Sequence, residues 1–253
     1  MEKGKNDFFI LTAPRSGSTV LTRTLDQHPQ IFCAGEIFHP SDETYHPEWQ
    51  FPFIGKKSKK GFSRTLFTLT NYIKGYLTAA THIKNFYAVH DTKPIRGFKL
   101  MNRHVTDFPT VWKYLLQSNK KVIVLVRTNT FREALSSFRA RKIGVFHSNE
   151  DASLAAKKVQ VNAVQLKKRV DELEAINSNI LKLGKSFNHI VLTYEEFEHW
   201  QEMLDKVFDF LEVEKINMPA QLRKISAANW RDGVENYEEV ENIMKDKYAH
   251  FIN

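Results

Sequence analysis

The chain has 253 residues, of which 42% are hydrophobic and 12% aromatic, so it can bury a core and is not a disordered protein. Its 37 Lys and Arg outnumber its 29 Asp and Glu and give a net charge of +8, which favours anionic ligands or surfaces. Only Lys56 to Lys60 forms a dense basic cluster, and no nucleic-acid-binding motif is present, so no nucleic-acid partner is expected. The length favours a single domain over residues 1–253.

The N-terminal residues 1–7 contain no secretory h-region, and no apolar run is long enough to span a bilayer. We therefore expect no transmembrane segment and a cytoplasmic location. The lone Cys33 excludes an internal disulfide and a cysteine-based zinc site, which fits a reducing compartment. Because Phe32 and Ala34 flank it, we expect Cys33 to be buried and not a nucleophile.

Short apolar runs alternate with helical patterns along the chain. Strands are predicted at Phe8 to Thr12, Ile95 to Met101, Val122 to Val126 and Ile190 to Thr193. Helices are predicted at Ser18 to Gln27, Arg64 to Ala80, Thr110 to Gln117, Phe131 to Lys142, Ser153 to Leu183, Glu195 to Leu211 and Tyr237 to Phe251. Strands separated by helices predict an α/β fold, a parallel sheet flanked by helices, with ligands at the carboxyl ends of the strands.

The first predicted strand is followed by Ala13-Pro14-Arg15-Ser16-Gly17-Ser18-Thr19 and then by a helical pattern. A strand, a small-residue turn and a helix start aim backbone N–H groups and the helix dipole at one point, which suits an anion. Nucleotide hydrolases read G-x-x-x-x-G-K-[ST] here, whereas this loop lacks the first glycine and its cation, Arg15, precedes Gly17. An arginine in that place can bind oxyanions without a metal. The alternative is an ordinary turn in which Ser18 or Thr19 serves only as a helix N-cap.

A second group follows the strand predicted at Val122 to Val126. Arg127 ends this strand, and Ser136 lies about two and a half turns along the next helix, so both side chains can reach one phosphate. The neighbouring Ser137 stays open for the same role. The alternative is an arginine paired with a carboxylate and a helix serine bonded to its own backbone.

Two later segments are also of interest. The first follows a strand that ends at the ligand edge of the sheet, and the second carries basic and aromatic residues together. The strand at Ile190 to Thr193 leads into Tyr194 and an acidic pair, a composition typical of a helix start. Further on, Lys224, Trp230 and Arg231 lie in one segment that ends at a glycine.

With His28-Pro29-Gln30-Ile31 and Gly35-Glu36, these motifs resemble, in the expected order, those of the sulfotransferase family, in its branch with a Pro-Arg-Ser-Gly-Ser-Thr loop. The resemblance implies a three-layer P-loop-like α/β fold. It implies that the co-substrate is 3′-phosphoadenosine 5′-phosphosulfate (PAPS), and that adenosine 3′,5′-bisphosphate (PAP) is released.

The resemblance also implies roles for individual residues. The loop would hold the 5′-phosphosulfate, Arg127 and Ser136 would bind the 3′-phosphate, and Tyr194 would lie near the adenine or be purely structural. The donor-binding residues implied are Arg15, Ser16, Gly17, Ser18, Thr19, Arg127, Ser136, Tyr194, Lys224, Trp230 and Arg231. Ile225 and Ser226 replace glycines of the cytosolic branch, which leaves the role of Lys224 open. Trp230 either stacks on the purine or anchors its loop in the core.

Sulfuryl transfer requires in-line placement of the acceptor oxygen, removal of its proton and stabilisation of charge on the leaving phosphate. Arg15 and the N–H groups of residues 16–19 can supply the stabilisation. The resemblance assigns the general base to Glu36, so Arg15 and Glu36 are the predicted catalytic residues. His39 and His104 stay open as bases, and Glu36 could instead only pair with Arg15 or Arg127.

Lys99 is a cation in an otherwise apolar strand, and we expect it to face water on an edge strand in preference to meeting Glu36 or the donor's phosphate. No His, Cys and carboxylate cluster has metal-ligand spacing, since His39 and His46 are isolated, so no metal is expected.

The acceptor is expected to be a small-molecule, carbohydrate or lipid alcohol. The segment from Phe38 to Phe62, with Tyr45, Trp49, Phe51 and Phe53, is suited to an aromatic lid over it, or else to surface loops pinned to the core. A P-loop kinase-like phosphotransferase and a non-catalytic binder of adenine nucleotides are the competing functions. Whether the chain forms a homodimer is left open.

Overall fold

The computed structural model describes residues 4–39, 46–54, 62–89, 93–144, 158–220 and 229–252. The strands are β1 (Phe8–Thr12), β2 (Ile31–Cys33), β3 (Ile95–Met101), β4 (Lys121–Val126) and β5 (His189–Thr193). The α-helices are α1 (Ser18–Gln27), α2 (Phe62–Ala88), α3 (His104–Asp107), α4 (Pro109–Gln117), α5 (Thr130–Ile143), α6 (Ala163–Gly184), α7 (Trp200–Leu211) and α8 (Tyr237–Ile252). Three 3₁₀ turns lie at Pro47–Trp49, Tyr194–His199 and Trp230–Gly233.

The five strands form one parallel sheet in the order β2-β3-β1-β4-β5. In its register, Thr12 at the end of β1 pairs with Met101 of β3 and with Leu125 of β4. The carboxyl ends of the three central strands are therefore level. The segments that follow these strands meet at one edge of the sheet, where ligands bind in open α/β folds.

Alternating side chains of the strands pack helices onto both faces of the sheet. Phe9 and Leu11 of β1 belong to a core cluster with α2, α4 and α6, whereas Phe8 and Ile10 belong to a second cluster with α1 and α7. A third cluster joins α5, α6 and α8. The predicted α/β fold, a parallel sheet between two helical layers, is confirmed.

The four predicted strands are present, two of them extended by one residue at the start, and a fifth, β2, was not predicted because it has only three residues. The helix expected from Ser153 is wrong over residues 158–162, while residues 153–157 lie outside the described ranges. Val159 instead bridges Val234, and the Asn162 side chain caps α6 by accepting from the N–H of Gln165 at 2.9 Å.

The helix expected from Glu195 starts as the 3₁₀ turn Tyr194–His199, and the α-helix begins only at Trp200. Thr193 and Glu196 form a capping box there, as the acidic composition indicated. Cys33 is fully buried, as predicted, and burial raises the pKa of its thiol. Within the described ranges, no helix combines the length and hydropathy needed to cross a bilayer.

Candidate active site

The loop between β1 and α1 has the geometry of an anion site. Arg15 and Gly17 have φ of 68° and 83°, and α1 begins at Ser18 with Gly17 as its N-cap. Among the described residues, no side chain caps this helix, so the alternative in which Ser18 or Thr19 serves as the N-cap is wrong. The first N–H groups of α1 are left for another partner, and a helix N-terminus of this kind attracts negative charge.

Buried hydroxyl groups hold the loop in this shape. The Ser16 hydroxyl is buried, donates to the carbonyl of Ala13 at 2.9 Å and lies 2.6 Å from the Thr12 hydroxyl. Thr12 in turn donates to the carbonyl of Leu125 at 2.8 Å, which ties the loop to β4. Since its hydroxyl is engaged within the loop, Ser16 is placed to meet a ligand through its backbone N–H.

Arg15, Arg127 and Ser136 come together although they lie on three separate segments. Arg15 Nη2 donates to Ser136 Oγ at 3.2 Å, and Arg127 Nη1 lies 3.5 Å from the carbonyl oxygen of Arg15. Ser137, one residue further, donates to the carbonyl of Glu133 at 3.2 Å in its own helix. Of the two candidate serines, Ser136 is therefore the one that faces the loop.

The guanidinium groups of Arg15 and Arg127 lie close together in this arginine cluster. Burial lowers the pKa of Arg15, and the nearby Arg127 lowers it further; burial also lowers the pKa of Arg127. Within the described part of the chain, Arg127 forms no ion pair, so the alternative in which a carboxylate pairs with it is not observed, and its buried Nε has no hydrogen-bond partner. Burial raises the pKa of the neighbouring Glu133 to about 7, and its two oxygens also lack hydrogen-bond partners among the described residues. A phosphate between these guanidinium groups would complete the site.

The turn after β5 supports the cluster from one side. The guanidinium of Arg127 lies over the Tyr194 ring at 4.3 Å, and a Cβ on Gly17 would meet the rings of Tyr194 and Phe197 at 2.7 Å. Glu195 accepts from the N–H groups of Thr128 and Asn129, both at 3.0 Å, and so fixes the loop after β4. This role of Glu195 was not predicted, and the acidic pair after Tyr194 was the available signal in the sequence.

The last predicted donor-binding segment lies against α5. Trp230 is 3% exposed and packs edge-on against Phe131, so the structure places it in the core. Arg231 forms an ion pair with Glu241, with its guanidinium over the Trp230 ring at 5.1 Å. Lys224 lies outside the described residues.

Glu36 lies at the same edge of the sheet, after β2, among basic side chains. Its carboxylate oxygens are 3.5 Å from Lys99 Nζ, 3.4 Å from Arg103 Nη2 and 3.6 Å from His104 Nε2. These partners are not the arginines 15 and 127 considered from the sequence. The expectation that Lys99 faces water on an edge strand is wrong, because β3 is an inner strand and Lys99 is 8% exposed.

The two histidines that stayed open as bases lie near Glu36. The backbone N–H of His39 donates to the carbonyl of Glu36 at 3.2 Å. His104 is buried, and burial, together with Arg103, holds its pKa well below the ordinary value. Its Nδ1 accepts from the N–H of Met101 at 3.3 Å, and its Nε2, which faces Glu36, accepts from Nε of Arg103 at 3.4 Å.

A pocket of about 150 Å³ opens beside these partners of Glu36. It is lined by aromatic and polar side chains, namely Phe38, Phe53, Phe67, Thr68, Asn71, Tyr72, Arg103, His104, Asp107 and Phe108. Of the aromatics expected to form a lid, Phe53 lines it, Phe51 is buried in the core, Trp49 packs against Arg96 at 4.6 Å, and Tyr45 lies outside the described residues. Among the described residues, no group of three His, Cys, Asp or Glu side chains is placed to hold a metal ion.

The fold and the loop define an α/β protein with an anion site at the carboxyl edge of its sheet. The profile of the sulfotransferase family matches residues 7–217, well over half of the chain. No curated protein matches the sequence. The chain belongs to the sulfotransferase family.

Solved structures of sulfotransferases are similar to the chain. The enzyme from Alicyclobacillus acidocaldarius has a TM-score of 0.50 at 15% identity, covering 98% of this chain and 95% of that one. A sulfotransferase domain from the curacin biosynthetic pathway has a TM-score of 0.48 at 19% identity, with coverages of 90% and 82%. Mouse sulfotransferase SULT7A1 complexed with PAP has a TM-score of 0.47 at 13% identity, with coverages of 98% and 86%.

Proposed function

We propose that this protein transfers a sulfuryl group from PAPS to the hydroxyl of a small-molecule, carbohydrate or lipid acceptor, with Glu36 as the general base. The observation that carries the proposal is the convergence of Arg15, Arg127 and Ser136 at the uncapped start of α1. Membership of the sulfotransferase family supports the same reaction class.

For the donor, the N–H groups of residues 16–19 and Arg15 would hold the phosphosulfate end, and Arg127 with Ser136 the 3′-phosphate. Two clustered guanidinium groups suit a ligand with two anionic groups, and the buried Nε of Arg127 has no hydrogen-bond partner among the described residues. PAPS supplies the activated sulfuryl group. Tyr194, under Arg127, would lie beside the same ligand.

In the transfer step, the acceptor oxygen forms a bond to sulfur while the bond from sulfur to the phosphate oxygen breaks. The bonding electron pair leaves on that phosphate oxygen of PAP, where Arg15 and the N–H groups of α1 offset the added charge. The proton of the acceptor hydroxyl passes to the Glu36 carboxylate. Lys99 and Arg103 hold that carboxylate in place beside the pocket.

The test is calorimetric titration of the protein with PAP, ATP and AMP without added metal. We expect PAP to bind most tightly, and Arg127→Ala to weaken PAP binding about 10- to 100-fold, because a charged hydrogen-bond partner of the 3′-phosphate is lost. Arg141→Ala, at the exposed end of α5, is the matched control and should leave the affinity unchanged. Equal affinity for PAP and AMP would contradict the assignment of the 3′-phosphate site.

Two other functions are separated by further measurements. A P-loop kinase-like phosphotransferase would need ATP and Mg²⁺, whereas the proposed enzyme releases PAP in proportion to sulfated product without metal. A non-catalytic nucleotide-binding protein would bind PAP but form no product with any alcohol in an acceptor screen. The placement of Glu36 beside a pocket favours the enzyme over this second alternative.

A further inference from the structure

The N-terminal part of α2 carries large apolar residues on its outer side. There the inner side carries the buried Asn71 and Gly75, and the core contacts of Ala79, Ile83 and Phe86 come only from the part of α2 that follows. On the outer side of the N-terminal part, six large apolar residues have 49–70% of their surface exposed, namely Leu66, Leu69, Tyr72, Ile73, Tyr76 and Leu77. We call these six residues the α2 stripe.

The α2 stripe is continuous. Apart from the adjacent pairs Tyr72–Ile73 and Tyr76–Leu77, its members follow one another at spacings of three residues, which places them on one side of the helix over about three turns. A helix on the surface of a globular protein normally carries polar residues on its outer side. Contiguous apolar patches larger than a few hundred Å² on such proteins mark sites of interaction with a protein or a membrane.

The charge around the α2 stripe favours a membrane over a protein as its partner. From residue 49 to residue 90 the sequence contains seven Lys and Arg and no Asp or Glu. Arg64, Lys74 and Lys84 lie on α2 itself, and the other four lie within residues 56–60, outside the described residues. A second copy of this chain docked through a two-fold axis would bring two such basic segments together, at an electrostatic cost. An anionic lipid surface instead attracts them, and the two tyrosines suit the interface between head groups and acyl chains.

The α2 stripe is continuous with the pocket beside Glu36. Tyr72 belongs to both, with 49% of its surface exposed and its side chain in the pocket wall. Ile54, which is 50% exposed, is tied to the same turn of α2 through hydrogen bonds with Asn71 of 2.7 and 3.0 Å. Phe53, Phe67 and other aromatic side chains line the pocket beside Tyr72, so the stripe and the pocket share an apolar border.

We propose that the α2 stripe docks on an anionic lipid bilayer, and that the pocket takes the apolar part of an acceptor alcohol dissolved in that bilayer. The proposed docking is based only on the exposed apolar surface of the α2 stripe and on the positive charge of residues 49–90. The choice of acceptor rests on the proposed function and narrows it to an amphiphilic alcohol.

Flotation of the protein with lipid vesicles tests the docking. We expect binding to vesicles that contain phosphatidylglycerol, about tenfold weaker binding to pure phosphatidylcholine, and a decrease with rising salt. The double variant Leu69→Ser/Leu77→Ser should bind the anionic vesicles about 30-fold or more weakly, since two large side chains no longer enter the lipid. The double variant Leu116→Ser/Val164→Ser changes two exposed apolar residues elsewhere and should bind as the unchanged protein does.

Three outcomes would overturn the docking. They are no binding to anionic vesicles, an equal loss in both double variants, and a dimer in solution that dissociates only in Leu69→Ser/Leu77→Ser, which would make a second copy the occupant. Circular dichroism and PAP titration of each variant show that it is folded.

The acceptor is tested by supplying PAPS with hexadecanol in anionic vesicles or with glucose in solution. We expect sulfation of hexadecanol, reduced in Leu69→Ser/Leu77→Ser, and little sulfation of glucose. Sulfation of glucose alone would overturn the choice of acceptor. If neither alcohol is sulfated and PAP does not bind, the proposed function fails, while the flotation result still decides whether the protein docks on lipid.

Discussion

The two sides of the candidate active site are built in different ways. On the donor side, backbone groups and buried polar residues at the ends of β1 and β4 hold a rigid loop, in which Ser16 and Thr12 bond within the protein. On the acceptor side, Glu36 and its basic partners border a pocket made of aromatic side chains from α2, from the segments between β2 and α2, and from Phe108 just before α4.

This difference between the donor side and the acceptor side explains how one fold can keep a reaction while its substrate changes. A phosphate is held by backbone N–H groups and arginines, which require a fixed chain path. An alcohol is held by side chains whose replacement leaves the sheet intact. We therefore expect changes on the acceptor side to alter turnover and acceptor choice, and changes on the donor side to alter nucleotide binding and stability.

The largest effect is expected for Glu36→Gln. The amide cannot accept the hydroxyl proton, so kcat should fall about 10²- to 10⁴-fold, while PAP affinity measured by calorimetry stays unchanged. Glu202→Gln, at an exposed position of α7, serves as the control and should keep full turnover. A parallel loss of PAP affinity in Glu36→Gln would show that the two sides of the site are not separate.

Gly17→Ala should damage the donor side and the fold together. Its Cβ would meet the rings of Tyr194 and Phe197 at 2.7 Å, and its φ is +83°. We expect the free energy of unfolding to fall by about 3 kcal/mol, with weaker PAP binding. Gly144→Ala has the same φ, but its Cβ would meet no atom of the described residues within 4 Å, so it should lower the free energy of unfolding by only about 1 kcal/mol in chemical denaturation. An equal decrease in the free energy of unfolding of the two variants would show that the contact with the two rings does not contribute.

Glu133→Gln should change how stability depends on pH. Burial raises the pKa of Glu133 from 4.5 to about 7 in the folded protein, so folding favours its protonated form. The raised pKa adds at most about 3 kcal/mol to the free energy of unfolding. This stabilisation is complete below pH 4.5 and is lost as the pH rises through about 7. Denaturation across this pH range should show a smaller decline for the Gln variant. Identical slopes for the two proteins would contradict the raised pKa.

The smallest effect is expected for Ser136→Ala. Loss of one hydroxyl beside Arg15 should weaken PAP binding about fivefold. Ser137→Ala removes a hydroxyl that bonds to its own helix and should leave PAP affinity unchanged, which makes it a matched control. A larger effect at Ser137 than at Ser136 would reverse the assignment made from the geometry.

Much of the donor side could be predicted from the sequence because its signals are local. The strand, the turn and the start of α1 are contiguous in the chain, and Arg127 directly follows an apolar strand. The acceptor side gave weaker signals. Lys99 was expected to face water, since a strand pattern does not reveal whether its strand is inner or at an edge of the sheet.

By itself, the sequence determined the alternation of strands and helices, the loop after β1 and the position of Arg127, because apolar periodicity and turn chemistry act over a few residues. Only the tertiary structure decided that Lys99, Arg103 and His104 surround Glu36, that Ser136 and not Ser137 faces Arg15, and that the α2 stripe stays exposed. These contacts join residues far apart in the chain. They depend on the order of the strands and on the side of α2 that meets the core, which no local pattern specifies.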